Sequence, residues 1–125
     1  MKYFTLDEFR CKHCGELPAN GMNPKLLEGL DKLREAWGAP IYTSCGYRCP
    51  VHNAEVNGVP NSQHVLGNAA DIYVDGGSAE YERFLQLIKD LHIFDSIGEY
   101  HSSMFAHVDQ RDNGTNPNYY SWIGD

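Results

Sequence analysis

The sequence lacks a long apolar run, a surplus of basic residues and any internal repeat, and each absence excludes a class of protein. No uninterrupted apolar segment approaches the ~20 residues of a membrane helix, so we expect a soluble protein without a membrane partner. Residues 1–8 contain only a short apolar stretch followed by acids, which predicts cytoplasmic synthesis without a signal peptide. Seventeen acidic against ten basic residues give a formal charge of −7, which argues against a nucleic-acid partner because phosphate binding needs a basic surface.

What is present is the composition of an ordinary globular protein. The 125 residues are 42% hydrophobic and 22% charged, with aromatic and aliphatic residues spread along the whole length. Such a chain is long enough to bury one core, and no linker or charge block divides it. We therefore expect a single domain over residues 1–125, acting as a monomer.

Two helices are predicted from the spacing of apolar residues. Asn23 as cap and Pro24 at the first helical position begin a helix that Gly38 ends. A second helix is predicted from about Ser78 to Leu91, and Thr5 with Glu8 resembles a capping box that starts a brief helical turn. Leucines at helical spacing indicate core, so both helices are read as scaffold.

Four short segments between Gly, Pro and Asn clusters read as strands: Ile41–Ser44, Ala69–Val74, Ser96–Tyr100 and Phe105–Asp109. Helices and strands do not alternate regularly along the chain. The predicted fold class is therefore α+β, with two main helices packed on a small, mostly antiparallel sheet.

Strand alternation predicts that three polar side chains converge. Residues two apart share a face of a strand, so if Ala70 and Ile72 face the core, Asp71 faces the other side. The same rule turns His107 and Asp109 away from the core in the last predicted strand. His64 lies in a loop where Gly67 allows a sharp turn, and this loop can bring a third ligand to the same point.

Two imidazoles and one carboxylate suit a catalytic zinc ion, because three protein ligands leave a fourth position for water. Zinc lowers the pKa of that water to ~7 and polarises a carbonyl, which together favour peptide hydrolysis. On spacing alone, scattered polar loop residues are the favoured explanation of His64, Asp71 and His107.

The string from Ser62 to Asp71 reads S-x-H-x-x-G-x-A-x-D and resembles the zinc D-Ala-D-Ala carboxypeptidase family. That family includes vancomycin-resistance dipeptidases, phage endolysins that cut L-alanyl-D-glutamate bonds, and the hedgehog signalling domain. Further matches are Gly46-Tyr47-Arg48, Asn61 and the segment Phe105–Asp109, so the resemblance covers positions 3 to 109. It implies a related fold, zinc on His64, Asp71 and His107, and a peptidoglycan peptide as substrate.

The resemblance also implies substrate contacts by Arg48 and Ser62. A guanidinium offers a planar fork for a peptide's terminal carboxylate. A surface salt bridge is the favoured explanation of a lone arginine, and the position of Arg48 in Gly46-Tyr47-Arg48 reverses that order. Ser62 and Gln63 are substrate-binding candidates that can instead be loop residues holding His64.

The catalytic base is where the sequence departs from the better-understood branches of the family. One branch has Glu or Asp three residues before the last zinc histidine, where this chain has Met104; another has histidine two before it, where this chain has Phe105. Asp109 and His101 are the candidates for the base. Asp109 can alternatively make a hydrogen bond that supports a ligand, and Glu99 is a weaker candidate.

The four cysteines permit a second metal site. Cys11-Lys12-His13-Cys14 and Cys49-Pro50-Val51-His52 offer C-x-x-C and C-x-x-H pairs, so Cys11, Cys14, Cys49 and His52 are candidates for a structural zinc ion. Phage-type members of the family carry a similar F-x-C-x-x-C-G start. Free thiols, a disulfide and a redox-active Cys11/Cys14 pair remain alternatives, and Cys45 can replace or pair with Cys49.

The sequence thus predicts a zinc-dependent peptidase that hydrolyses a bond in peptidoglycan stem peptides, as a D-Ala-D-Ala carboxypeptidase or an endolysin-type endopeptidase. Without a signal peptide, it would reach the wall through phage lysis or another export route. The alternative is a non-catalytic, zinc-containing module of the same fold that binds muropeptides or serves in a phage structure.

Overall fold

A computed structural model describes residues 1–125 and shows three helices and five strands. A short 3-10 turn, Leu6–Phe9, precedes the first helix. The elements then follow in the order α1 (Pro24–Trp37), β1 (Ile41–Cys45), α2 (Pro50–Glu55), β2 (Ala69–Val74), α3 (Ser78–Leu91), β3 (Ser96–Tyr100), β4 (Phe105–Asp109) and β5 (Tyr120–Ile123). The predicted α+β class is confirmed.

Helix α1 has the ends that its sequence predicts. The Asn23 side chain accepts a hydrogen bond from the backbone N–H of Lys25 at 2.8 Å, which satisfies a donor that the first turn leaves free. At the other end, Gly38 has a φ of 76°, a left-handed conformation that glycine adopts without steric cost. Three of the four leucines of α1 (Leu26, Leu30 and Leu33) are buried, as expected of a scaffold helix.

The sheet has the strand order β1-β2-β4-β3-β5. All neighbours are antiparallel except β3 and β5, which run parallel. Apolar side chains of α1 and α3 pack on the same side of the sheet as Ala70, Ile72 and Val108, which are fully buried. Burial of this apolar surface is the main stabilising contribution, and it leaves the opposite face of β2 and β4 available for a site.

Two elements were missed by the strand and helix patterns. Helix α2 has only six residues, too few for a helical period to emerge, and begins after Cys49 with Pro50 in its first turn. Strand β5 is largely exposed and therefore carries little apolar alternation. Trp122 of β5 lies flat on β3 because Gly98 has no side chain: a Cβ there would come within 2.6 Å of the indole ring.

None of the three helices is both long and apolar enough to cross a membrane.

Candidate metal centre

His64, Asp71 and His107, which we call the triad, lie together on the sheet face opposite the helices. Asp71 of β2 and His107 of β4 are directly opposite each other in the antiparallel register. The two strands therefore pair, which is the condition under which Asp71 and His107 can converge. His64 reaches the same point from the loop between α2 and β2, in which Gly67 turns the chain with a φ of 76°.

The His64 ring is held so that one nitrogen faces Asp71. Its Nδ1 lies 2.8 Å from the carbonyl oxygen of Gly46, an atom that only accepts, so Nδ1 carries a proton and donates it. Nε2 then lies 3.2 Å from Asp71 Oδ1. The residue is almost entirely buried, so the ring has little freedom to turn.

His107 is held in a similar way from the other side. Its Nε2 lies 2.8 Å from Oδ2 of the buried Asp109 carboxylate and donates to it, while Nδ1 lies 3.1 Å from Asp71 Oδ1. Each histidine thus has one nitrogen occupied by a protein acceptor and the other directed at the same carboxylate oxygen. Acceptor atoms that approach this closely need a proton or a cation between them.

Without a metal, a proton takes that place. Burial lowers the pKa of His64, but the hydrogen bonds to Asp71 and Cys45 and the charges of these two groups together outweigh the burial and raise that pKa to about 10. Burial raises the pKa of Asp71. The hydrogen bonds from His107 and His64, together with the charges of these rings, outweigh the burial and hold that pKa well below its usual range. The triad is therefore built to hold positive charge at its centre.

The geometry fits zinc. With metal–ligand bonds of about 2.0–2.1 Å, tetrahedral nitrogen and oxygen ligands lie about 3.3 Å apart. The two histidine nitrogens lie 3.2 and 3.1 Å from Asp71 Oδ1. Each nitrogen therefore lies at a distance from the Asp71 oxygen that two ligands of one zinc ion would have.

Cys45 lies near the triad as well. The ligand atoms of Cys45, His64 and Asp71 all lie within 4.8 Å of one another, so these three can also be considered as a metal-binding set. However, the Cys45 sulfur lies 3.6 Å from His64 Nδ1, the nitrogen already bound to Gly46. The nitrogen that faces Asp71 is the other one, and we therefore favour His107 as the third ligand.

Asp109 lies behind His107 rather than in front of it. Its side chain is fully buried. The carboxylate accepts two hydrogen bonds from Arg111, one from Nη2 to Oδ2 at 2.8 Å and one from Nε to Oδ1 at 3.1 Å. Burial raises the pKa of Asp109, but hydrogen bonds from His107 and Arg111 lower it well below its usual range. A carboxylate in this position fixes the ring of a metal-binding histidine and increases its basicity.

A cleft of about 490 Å³ opens in front of the triad. Arg48 and Ser62 line it together, as the resemblance implies. Arg48 Nη2 donates to Ser62 Oγ at 3.2 Å, and Nε donates to Asn53 Oδ1 at 2.9 Å, which leaves Nη1 free. Gln63 also lines the cleft, although its side-chain oxygen accepts a hydrogen bond from Asn68.

His101 does not reach the cleft. Its ring binds Glu82 at 3.0 Å and Glu99 at 2.9 Å, and Glu99 in turn binds Lys89 of α3 at 2.8 Å. Glu99 is paired in register with Ala106, a residue that faces the helices, so this ion-pair group lies across the sheet from the triad. The structure therefore places neither His101 nor Glu99 beside a substrate.

Three aromatic residues form a wall of the cleft that the sequence patterns did not reveal: Tyr100, Phe105 and Trp122. The rings of Tyr100 and Phe105 stack at 4.4 Å, and the Trp122 ring lies 5.1 Å from that of His107. Arg111 lines the same side. Tyr100 and Phe105 lie in strands that the sequence predicted, so strand alternation could have placed them on this face. Trp122 lies in β5, a strand that the sequence did not predict.

The cysteines are all free, and three of them form a group that is separate from the triad. The sulfur atoms of Cys11, Cys14 and Cys49 lie within 4.8 Å of one another. The predicted fourth member, His52, does not belong to this group. It forms a separate set with His13 and Glu55, because its ring stacks on that of His13 and points toward the Glu55 carboxylate.

Comparison with known proteins agrees with the site. Residues 2–109 match the family model described as Peptidase M15, and this range contains the whole triad, Arg48 and Ser62. No curated protein matches the chain. Because the match spans most of the 125 residues, the chain belongs to the M15 family, the zinc-dependent D-Ala-D-Ala carboxypeptidase family of metallopeptidases.

Proposed function

We propose that the chain hydrolyses a peptide bond in peptidoglycan stem peptides, with one zinc ion held by His64, Asp71 and His107. The observation that carries this proposal is the position of the triad in the same cleft as the free guanidinium edge of Arg48. Zinc bound there would polarise a scissile carbonyl and acidify the attacking water. The chain's own residues then have to bind the peptide, orient it and keep the ligands in place.

Arg48 is the residue that would bind the substrate's carboxylate. Its Nε and Nη2 are held by Asn53 and Ser62, so the guanidinium plane is fixed before a substrate arrives. The free Nη1 edge can donate to a terminal or side-chain carboxylate of a stem peptide. Fixing this group in advance lowers the entropy lost on binding and sets the distance between carboxylate and reacting bond.

The aromatic wall and Asp109 would have supporting roles. Tyr100, Phe105 and Trp122 offer apolar surface on one side of the triad, which excludes water and packs against the alanine methyl groups of a stem peptide. Asp109 holds the His107 ring through Nε2 and leaves Nδ1 for the metal. We therefore assign Asp109 to positioning and not to proton transfer.

The test is cleavage of purified peptidoglycan, read by mass spectrometry, with the metal removed and restored. Zinc-loaded protein is expected to release D-Ala or shorter stems. The chelator-treated protein should lose this activity and regain it when zinc is added, because the metal supplies the electrophile. A new fragment that forms equally well after chelation would contradict the zinc mechanism, and no fragment under any condition would contradict hydrolysis.

Arg48→Met is expected to raise KM for stem peptides with a free carboxylate by roughly 10- to 150-fold. A hydrogen bond to a charged group contributes about 1.5–3 kcal/mol, and 1.4 kcal/mol corresponds to a factor of ten. The measurement is steady-state kinetics on a carboxylate peptide and on its amide. The amide should be nearly insensitive to the substitution, and Arg83→Met, on the exposed surface of α3, is the control.

One observation favours a second function, that of a muropeptide-binding module without turnover. Among the residues that line the cleft, the only carboxylate and imidazoles are those of the triad itself. No further side chain of these types stands ready to take a proton from water, as general base catalysis requires. Calorimetry with wall fragments beside the cleavage assay separates the two: binding without any new fragment supports the module.

The proposed partner is a wall peptide, bound by a monomer that needs no nucleic acid or membrane. Such a protein would meet the wall after phage lysis or by another export route. The formal charge of −7 disfavours passive adhesion to an anionic wall, so recognition would depend on the cleft and above all on Arg48.

A further inference from the structure

Cys11, Cys14 and Cys49, which we call the thiol cluster, come from two segments that the fold brings together. Cys11 and Cys14 follow the N-terminal 3-10 turn, and Cys49 lies directly before α2. Cys11 and Cys49 are buried, while Cys14 is exposed. No disulfide joins these three sulfur atoms, so they either carry protons or share a bound cation.

The backbone around the thiol cluster favours thiolates. The N–H of Cys49 lies 3.4 Å from the Cys11 sulfur, and the N–H of His52 lies 3.4 Å from the Cys49 sulfur. Backbone N–H groups directed at a sulfur stabilise its thiolate form, and the thiolate is the form of cysteine that binds a metal.

The local turn has the shape that a C-x-x-C metal site needs. The N–H of Gly15 donates to the carbonyl oxygen of Cys11 at 2.9 Å, which closes the turn and keeps the two cysteine side chains on one side. Gly15 has a φ of 75°, a left-handed conformation that favours glycine. The turn therefore holds Cys11 and Cys14 in place beside Cys49.

We propose that the thiol cluster binds a second zinc ion, with a structural role, through Cys11, Cys14 and Cys49. Three thiolates and one nitrogen or oxygen donor form a closed tetrahedral site of the structural kind. The fourth donor would be a water molecule, because His52 belongs to the separate set with His13 and Glu55 and its Nδ1 lies 3.9 Å from the Glu55 carboxylate.

Such an ion would fasten the N-terminal segment to the loop that supports the cleft. The N–H of Tyr47 donates to the carbonyl oxygen of Phe9 at 2.8 Å, and a Cβ on Gly46 would come within 2.6 Å of Phe9 Cα. The same loop carries the Gly46 carbonyl that orients His64, and Arg48 precedes Cys49 directly. Metal binding at the thiol cluster would therefore hold two parts of the cleft in position without touching the substrate.

The test is metal content and cobalt spectroscopy of the full chain, purified under reducing conditions. Inductively coupled plasma mass spectrometry is expected to find about two zinc ions per chain in the unmodified protein and about one in Cys14→Ser. Cys14 is the exposed member of the thiol cluster, so its substitution leaves the core intact. Thermal unfolding of both proteins checks that Cys14→Ser is folded.

Cobalt distinguishes the two sites, because only thiolate ligands give an intense near-ultraviolet charge-transfer band. The band should be present in the unmodified protein, in Cys45→Ser and in His107→Ala, and absent from Cys14→Ser. A band that persists in Cys14→Ser, or that disappears in Cys45→Ser instead, would overturn the proposal. So would a disulfide among the three thiols in the native protein, detected by peptide mapping. Every readout is independent of peptidase activity, so failure here leaves the proposed function standing.

Discussion

Replacing His107 by alanine is expected to reduce cleavage of wall peptides at least about a thousandfold and to abolish zinc binding at the triad. Bound zinc supplies several kcal/mol of charge stabilisation in the transition state, and each 1.36 kcal/mol corresponds to a factor of ten in rate. His107 supplies one of two nitrogens that face Asp71, so His64 and Asp71 alone would hold the ion weakly. The zinc content and the kcat/KM of the same preparation measure the loss of zinc binding and the loss of cleavage.

His101→Ala is the matched control, because it removes another imidazole from a neighbouring part of the sheet. His101 binds Glu82 and Glu99 and does not line the cleft, so its loss should change kcat/KM by less than about threefold. Circular dichroism and thermal unfolding would show whether either variant is misfolded. If His101→Ala were as inactive as His107→Ala with zinc retained, His101 would be the catalytic base, and its position across the sheet would be contradicted.

Asp109→Asn is expected to weaken zinc binding by about 10- to 100-fold, the usual effect of losing a partner that orients a metal-binding histidine. The amide removes the negative charge that His107 and Arg111 share in a fully buried position. Because the effect operates through the affinity for the metal, kcat measured at saturating zinc should recover to near the unmodified value. Zinc titrations followed by activity provide both quantities.

A general base would behave differently in the same experiment. If Asp109 accepted the proton from water, kcat would stay about 10²- to 10⁴-fold low however much zinc was added. Asp112→Asn is the control, since Asp112 is an exposed carboxylate three residues further along the chain. It should leave both zinc affinity and kcat unchanged.

The sequence predicted those helices and strands whose residues follow a local pattern, either capping residues at the ends or a regular spacing of apolar residues. In α1 the cap, the proline and the closing glycine act on the backbone within one or two residues, so their effect is visible without the fold. In β2 and β4 the alternation of apolar and polar residues predicted that Asp71 and His107 lie on the face away from the helices. Helix α2 and strand β5 were invisible because one is too short and the other too exposed to display a period.

The three residues that the sequence indicated as zinc ligands lie together in the structure, and zinc binding by them is our proposal. Residue types and spacing were enough to select His64, Asp71 and His107, because strand alternation and a ten-residue motif constrain them locally. Which nitrogen of each histidine is free was decided by Gly46 and Asp109, acceptors whose positions depend on the packing of a loop and on strand register. Only the tertiary structure could supply those contacts.

The tertiary structure likewise separated residues that the sequence treated as equivalent. Asp109 and His101 were both candidates for the base, but burial behind His107 assigns one to positioning, and ion pairs with α3 keep the other across the sheet. His52 shares a C-x-x-H pair with Cys49 yet faces Glu55. The sequence by itself therefore determined the fold class and the family, since these depend on short-range patterns. The direction and neighbours of each side chain depend on contacts between distant segments, and only folding decides them.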